Sequence, residues 1–527
     1  MQKIKKHITH FKESRGRQEE EDENGWQRTI FDKVSADQLK RKSVRGGAVV
    51  LFSQGLKFVL TIGSTMILAR LLTPEDFGLQ GMVLALTGAV GLFSDIGLSM
   101  ATVQRDFITH EQTSTLFWIN VVLGTALAVL VAALAPVLVV FYHESRLFWM
   151  TIGSAATFLI GGLAVQHSAL LVREMRFITL AIIQTSSLIA SSLVGIVMAL
   201  LGCGYGALIG SMVAAPIVTV LGMWFAVPWI PGMPRRGYGL RSALHFGGTL
   251  TLNNVIVYLG YNMEKILLGR FWGAAALGLY GKAYSLVNLP TMQLHSSIYT
   301  VVFPAFSRLQ ADPQRLRNSF LQVYSAILSL SIPVTICCIL FAEELIRIAL
   351  GPKWSGSVQV FRLLGPTVFA FGMINPFGWF LISTGRVVRS FKISLLIAPS
   401  VILGIMMGLH HGPKGVALAY SMVMILLICP VITWAMHGTG ITWGSLWNVM
   451  KHPILSGLVA CAAGITFKCV LGGKLSALAC LTFGLGATFG VYAWMLLAIM
   501  GQMPLYMDLL GHLFDRFQAK RDDTVTT

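Results

Sequence analysis

Seven ionisable side chains stand where a chain of this composition can least accommodate them. Lys57, Glu264, Lys265, Lys282 and Arg362 fall inside long apolar segments, while Arg70 and Arg270 close two such segments 200 residues apart. A charge in hydrocarbon is costly, so these residues turn toward a protein interior or a wet cavity and are functional candidates by default. Six of the seven are cations and one is an acid. That imbalance suits an anionic ligand held by Arg forks and Lys point charges. Lys57 is the deepest, about twelve residues and roughly 18 Å into its segment, too deep for snorkelling to explain fully. Arg70 and Arg270 suit a site and simple snorkelling to outer headgroups equally. Glu264 and Lys265 are adjacent, point about 100° apart on a helix, and so do not face each other as a pair.

The elements that must hold these charges follow from composition. The chain of 527 residues is 55% hydrophobic and 12% charged, with a mean hydropathy of +0.70, which excludes a soluble domain. Lipid offers backbone amides no partner, so long apolar segments must be helices. About fourteen are long enough to span: 47–70, 77–101, 115–141, 148–171, 178–201, 204–227, 242–269, 274–303, 319–342, 357–383, 391–409, 414–436, 453–472 and 475–499.

Twelve of them are two copies of one unit. ILARLLTPEDFGLQGMVLAL at 67–86 aligns without a gap on LLGRFWGAAALGLYGKAYSL at 267–286. Leu68/Leu268, Arg70/Arg270, Gly78/Gly278, Leu79/Leu279, Gly81/Gly281 and Leu86/Leu286 are identical, and Gly47 and Gly247 share the offset. A fixed offset marks a repeated architecture, and many secondary transporters are built from two such halves with the substrate site between them. The expected fold is therefore an all-α integral membrane protein of about 14 transmembrane helices: two parallel six-helix repeats plus two C-terminal helices. Its divisions are a polar extension at 1–42, bundles at 43–234 and 235–440, two additional spans within 441–502, and a tail at 503–527. The last two spans pack on the outside of one bundle, either lining a groove for a lipid tail or as plain structural packing.

Charge distribution sets the orientation. With the N-terminus inside, inside connections carry about 20 Lys/Arg and outside ones about eight, which satisfies the positive-inside rule. The inside set includes Lys40–Arg41–Lys42, Arg173 with Arg176, Arg235–Arg236, Arg386 with Arg389 and Lys392, and Lys520–Arg521. The net charge of +17 thus reflects topology and gives no reason to expect nucleic acid. Both termini are expected in the cytoplasm, with no cleavable signal peptide. Residues 1–42 read as disordered, with Trp26, Ile30 and Val34 spaced for a short interfacial turn.

Enzymatic classes find no support. No GxxxxGK[ST] loop and no HExxH occurs, and no loop between spans can house a catalytic domain. The seven cysteines lack metal spacing and read as small buried apolar residues. His410–His411 reads as a solvated pair in a short loop, and Asp95 and His167 as polar groups near inner helix ends. No cofactor and no metal are expected. Asn253, Asn254, Asn262, Asn288, Gln293 and His295 stripe spans seven and eight; such groups tie helices together or, in a wet vestibule, meet sugar hydroxyls.

The runs TPEDFGLQGMVLALTGAVGLFSDIGLSMATVQRDFITHEQTSTLFWINVVLG, FYHESRL, ALLVREMRF, ILLGRFWGAAALGLYGKAYSL and VVFPAFSRLQADPQRLRNSF resemble the polysaccharide-transporter branch of the MATE/MviN flippase superfamily. The resemblance covers about residues 43–450 and points to the Wzx-like exporters of colanic-acid and teichuronic-acid type. It implies a bacterial inner-membrane flippase that carries an undecaprenyl-pyrophosphate-linked oligosaccharide repeat unit from the cytoplasmic to the periplasmic leaflet by alternating access, for exopolysaccharide, capsule or O-antigen assembly. The implied partners are that lipid-linked oligosaccharide, membrane lipids, and the polymerase and glycosyltransferases of the same pathway. Arg70, Glu264, Lys265, Arg270 and Lys282 carry over as matched positions without an assigned role. Three other functions stay open: a lipid II-type flippase, a MATE-like drug/cation antiporter, which would want acids in its cavity, and a membrane glycan polymerase, which would carry a large outer loop.

The orientation is testable with periplasm-dependent alkaline phosphatase. A fusion after Gly204 is expected to be active, and fusions after Arg176 or Thr527 inactive; the reverse pattern would refute the topology.

Overall fold

A computed structural model describes residues 36–94, 99, 102–103, 108–234, 240–504, 506 and 507, with side chains from Phe52 onward apart from most of those at 240–261, those at 293–297, and a few others near 300. Trp26, Ile30, Val34, Asp95, Arg235, Arg236, Lys520 and Arg521 lie outside the described residues, as do the side chains of Lys40, Arg41, Lys42, Asn253, Asn254, Gln293 and His295. Among the described residues there is no β-strand.

A helix falls on each of the fourteen apolar segments. In chain order they are α1 (Ala36–Leu71), α2 (Pro74–Gly91), α3 (His110–Tyr142), α4 (Leu147–Gly162), α5 (Val165–Arg173), α6 (Phe177–Leu200), α7 (Gly206–Ala226), α8 (Leu240–Arg308), α9 (Pro313–Leu340), α10 (Ala342–Ala349), α11 (Ser355–Leu364), α12 (Pro366–Ser383), α13 (Val387–Gly408), α14 (Gly412–Leu426), α15 (Ile428–Met436), α16 (Trp443–Leu471) and α17 (Ala477–Trp494). Among the described residues nine stretches cross a membrane by length and hydropathy alone, and ten when α4 and α5, bent by 44°, count as one span. The expected tenth span, 357–383, is two helices that meet at Gly365–Pro366, because proline cannot donate the bond that would continue α11. α8 covers the seventh and eighth spans and breaks at Gly273, whose φ of 78° and ψ of −178° are not helical.

Helix ends are capped by side chains that take up amides left without an intrahelical partner. Thr109 and Gln112 form a reciprocal capping box on α3. Asp312 accepts from Gln314 and Arg315 at the start of α9, with Pro313 in its first turn. Thr442 and Ser445 cap α16.

The chain divides into two compact units: one takes residues up to Leu72 together with Leu79–Leu259, the other Thr73–Gly78 and everything from Gly260. In the first unit α3 packs on α4, α6 on α7, α4 on α7, and α1 on α6. In the second, α9 packs on α12, α13 on α14, and both α11 and α12 on α14. Counted in spans, three–four, five–six and four–six recur as nine–ten, eleven–twelve and ten–twelve, so the offset seen in sequence is also an offset in packing order. Close approach uses small residues, as expected where apolar surface alone drives no association. A Cβ on Gly124 of α3 would lie 2.7 Å from the Phe158 carbonyl of α4 and 3.3 Å from Gly162.

Within the second unit the repeated segments touch each other reciprocally. A Cβ on Gly78 would overlap the carbonyl of Ala274, and one on Gly278 would overlap the carbonyl of Pro74. These pairs exchange under the 200-residue offset. The turns leading into them are built differently. At the first, Asp76 accepts from the Thr73 amide at 2.9 Å and Thr73 Oγ1 accepts from the Asp76 amide at 3.3 Å. At the second, Gly273 occupies the equivalent position with its positive φ.

A further tie holds each unit. In the first, residues 227–234 are strapped down. Trp229 Nε1 donates to His110 Nδ1 at 2.9 Å, the Gly232 amide to Ser114 at 2.9 Å, and Trp118 Nε1 to the Gly232 carbonyl at 2.9 Å. In the second, the terminal helices are pinned: α16 packs on α9, and α17 on α16 and α10. Lys468 of α16 donates to the Leu340 carbonyl at 2.6 Å and to Glu344 of α10 at 3.0 Å, while the Cys480 thiol of α17 reaches the other Glu344 oxygen at 3.6 Å.

Gly78→Ala and Gly278→Ala are each expected to lower stability in detergent by about 1–3 kcal/mol or more through overpacking. Gly281→Ala, with nothing within 4 Å of its Cβ, should be tolerated; melting of the three purified variants decides it, and equal melting would remove the contact's importance. Lys468→Met strands Glu344 and should cost about 3 kcal/mol, whereas Lys468→Met with Glu344→Leu should recover most of it; a double variant as unstable as the single would refute the pairing.

Candidate functional site

The sequence-derived charges separate by unit. In the first, Lys57 sits half-exposed midway along α1. Its ammonium donates to the side-chain carbonyl of Gln184 on α6 at 2.6 Å. An amide oxygen is a neutral partner, so the bond orients the lysine without cancelling its charge. An ammonium has three donors, and this bond occupies one. Arg70 is exposed in the last turn of α1.

In the second unit Glu264 and Lys265 diverge as their spacing requires. Glu264 is buried to 2% exposure, and among the described residues its Oε1 has no hydrogen-bond partner. Lys265 turns to Asn262, one helical turn back, and donates to its Oδ1 at 2.7 Å. Here again a membrane-embedded amine bonds a neutral amide. Asn262 and Asn288 from the polar stripe are both buried.

Around Glu264 stands a group of phenols that spacing did not single out. Tyr280 and Tyr284 stack with ring centroids 6.1 Å apart, one turn from each other on the second half of α8. Tyr420 of α14 meets Tyr284 edge-on at 6.0 Å. Tyr280 and Tyr420 are both close enough to Glu264 to interact electrostatically with it. The i, i+4 pair Tyr280/Tyr284 was the available signal; Tyr420, some 140 positions further on, had none.

Lys282 has a different environment. Its ammonium lies 3.8 Å from the ring centroid of Phe77, which packs on the fully buried Trp354 at 5.6 Å. A desolvated cation over an aromatic face gains about 2 kcal/mol, so this lysine has a structural partner. Arg270 is half-buried just before the Gly273 break, and Arg362 is exposed in the last turn of α11. The structure therefore gathers Asn262, Glu264, Lys265 and the tyrosines in the second unit and sets Lys282 against Phe77 there. Lys57 and Arg70 belong to the first unit.

His167 lies in the first turn of α5, at a helix end as the spacing suggests. It is fully buried on α5, stacked on Trp224 at 4.6 Å, with Nε2 3.2 Å from the Trp229 carbonyl. Tryptophans from α7 and the strapped segment supply that pocket, which a local reading of α5 could not show. His410 and His411 are exposed. The cysteines are all free, but only Cys337, Cys338 and Cys480 are buried, and Cys203, Cys429 and Cys469 are exposed. The expectation of buried thiols holds for the inward faces of their helices, not the outward ones. Among the described residues no three His, Cys, Asp or Glu side chains converge as a metal site would require.

Comparison with known proteins agrees with this architecture. The chain is 27% identical over 394 residues to the lipopolysaccharide biosynthesis protein WzxC of Escherichia coli (strain K12), covering 74% of this chain and 80% of that protein. It is 23% identical over 331 residues to the succinoglycan biosynthesis transport protein ExoT of Rhizobium meliloti (strain 1021), covering 62% of this chain and 65% of ExoT. Among solved structures, the lipid II flippase MurJ in its inward closed conformation superposes with a TM-score of 0.68 at 14% identity, over 89% of this chain and 100% of that one; at that identity the match shows a shared fold. The sequence profile of polysaccharide biosynthesis proteins matches residues 67–359, more than half of the chain. The protein is a multi-pass membrane protein and belongs to the polysaccharide biosynthesis protein family.

Proposed function

We propose that this chain is a flippase that moves an undecaprenyl-pyrophosphate-linked oligosaccharide repeat unit from the cytoplasmic to the periplasmic leaflet of a bacterial inner membrane, for exopolysaccharide, capsule or O-antigen assembly. Family membership supports polysaccharide assembly, and the names and fold of the compared proteins support transport across a membrane. The observation that carries the ligand chemistry is the pairing of the embedded lysines. Lys57 bonds Gln184 and Lys265 bonds Asn262, both neutral amides, and among the described residues no carboxylate forms an ion pair with either. Lys57 therefore keeps its charge and spare donors, and Lys265 keeps spare donors while interacting electrostatically with the neighbouring Glu264.

A pyrophosphate entering a low-dielectric region loses hydration that only charged donors can replace. Lys57 and Lys265 suit that role as oriented point charges. Arg70, Arg270 and Arg362 would draw anions toward the membrane ends of their helices, while Lys282, held by Phe77, adds positive potential. Buried Glu264 tempers that potential or carries a coupling proton. The buried amides and phenols supply groups able to bond sugar hydroxyls. A drug/cation antiporter reads poorly against this excess of cations. The lipid II reading draws on the shared fold, so lipid II belongs in the test as a competing substrate.

The test is flipping in proteoliposomes with a defined lipid-linked oligosaccharide, beside lipid II. Transport of the former is expected; transport of lipid II alone would replace the proposal. Lys57→Ala should leave the protein inserted and folded, since it removes an embedded charge. Flipping should fall roughly 10–100-fold, the equivalent of one charge-assisted bond of about 1.5–3 kcal/mol. Lys57→Arg should keep part of the rate. Normal transport by Lys57→Ala would end the assignment of that residue.

A further inference from the structure

A second concentration of positive charge lies at the start of α13, apart from Lys57, Lys265 and Lys282. Arg386, Arg389 and Lys392 line a cavity of about 400 Å³ whose remaining wall is Gly385, Val388 and Trp434 of α15. No acid lines it. The two arginines are fixed by backbone carbonyls of the segment after α15: Arg386 Nη2 donates to Gly438 at 2.6 Å, and Arg389 Nη1 donates to His437. Arg386 Nη1 is buried without a hydrogen-bond partner among the described residues, although a guanidinium is not left unbonded in a buried place without cost. Lys392 is exposed, and no bond of its ammonium is present among the described residues. Guanidinium groups held by carbonyls, with donors left over, are a preorganised anion site.

What adjoins the cations selects the anion. Val388, Phe391 and Leu395 follow one stripe of α13 and are 70%, 49% and 61% exposed. That spacing puts them on one helical face. Trp434 and Trp443 are both partly exposed, and Trp443 Nε1 donates to Thr433 at 3.2 Å; indoles with one apolar and one bonded edge mark the membrane–water boundary. A soluble phosphate would have no use for the apolar stripe. A lipid with a phosphate headgroup would use both: headgroup on the cations, chains along Val388, Phe391 and Leu395.

We propose that Arg386, Arg389 and Lys392 hold the phosphate of an anionic phospholipid of the leaflet at the N-terminal end of α13, with its acyl chains on the Val388–Leu395 face. The excess of Lys and Arg assigns that leaflet to the cytoplasmic side, where anionic lipids attract basic side chains. The bound lipid staples the α13–α14 hairpin to the bilayer surface, independently of what the protein transports.

The full-length protein, purified in detergent and incubated with mixed micelles of phosphatidylglycerol or phosphatidylcholine, is examined by native mass spectrometry for retained lipid. Phosphatidylglycerol should be retained in preference. Lys392→Ala should weaken its retention about five-fold, as expected for one basic residue near a charged surface. Lys392→Arg should restore it, and Lys474→Ala, outside the cavity, should have no effect. Arg389→Lys, which keeps the charge, tests whether the guanidinium geometry matters and should weaken retention less than Arg389→Ala. Equal retention of the two lipids, or an unchanged Lys392→Ala, overturns the proposal. So does displacement of phosphatidylglycerol by inorganic phosphate, which would make the cavity a free-anion site. Displacement by undecaprenyl pyrophosphate that Lys392→Ala abolishes would assign the cavity to the transported lipid, and overturns it too.

Discussion

Everything in this molecule answers to a medium that offers no hydrogen bonds. In hydrocarbon a backbone amide or carbonyl must find its partner within the protein, and that requirement turns the fourteen apolar segments into helices. Helix geometry dictates what happens where helices stop, because the first amides have no partner in the preceding turn. Thr109, Asp312 and Thr442 each take over an amide that the preceding turn cannot reach. Span four breaks at Leu163–Ala164, span ten at Gly365–Pro366 and span twelve at Leu427, while Gly273 breaks α8 between spans seven and eight; glycine there needs no side-chain accommodation, and Pro366 lacks the donor. The same scarcity governs the side chains: Lys57 and Lys265 each have an amide oxygen, Lys282 an aromatic face, and Lys468 a carboxylate and a carbonyl.

The differences among these partners sort the charges by role. Lys468 and Glu344 neutralise one another, so their association is a tie between α16 and α10. An amide leaves the net charge of an ammonium intact, and that positive potential reaches any anion nearby. Function is therefore better sought where the partner is neutral than where depth is greatest. Glu264 stands apart from both classes: it interacts electrostatically with Lys265, Tyr280 and Tyr420, and its Oε1 is bonded by nothing among the described residues.

The fold class was legible because the signal for a membrane span is compositional and local: one segment is enough to see it. The repeat was legible for a physical reason as well. Gly78 and Gly278 are identical because a backbone carbonyl occupies the place of each Cβ, and Leu68 and Leu268 are both buried. Sequence could not supply the partners. Gln184 is 127 positions from Lys57, and Glu344 is 124 from Lys468; no periodicity connects residues that far apart. The pocket around His167 was hidden for the same reason, since the tryptophans that line it come from α7 and beyond. Spacing did settle the divergence of Glu264 and Lys265, because helix geometry alone decides it.

The two entry turns of the repeat reach reciprocal contacts by different backbone paths, since Gly273 has a positive φ and Thr73 does not. At Thr73–Asp76 the path is written in side chains, through two reciprocal bonds whose atoms could be exchanged for other capping pairs. At Gly273 it is written in the absence of a side chain, and an L residue there would be strained whatever its polarity. Duplicated halves thus drift apart unevenly: the first turn can wander through sequence space as long as a cap survives, while the second is confined to a single letter. The turn that forms no side-chain bonds of its own has the stricter geometry.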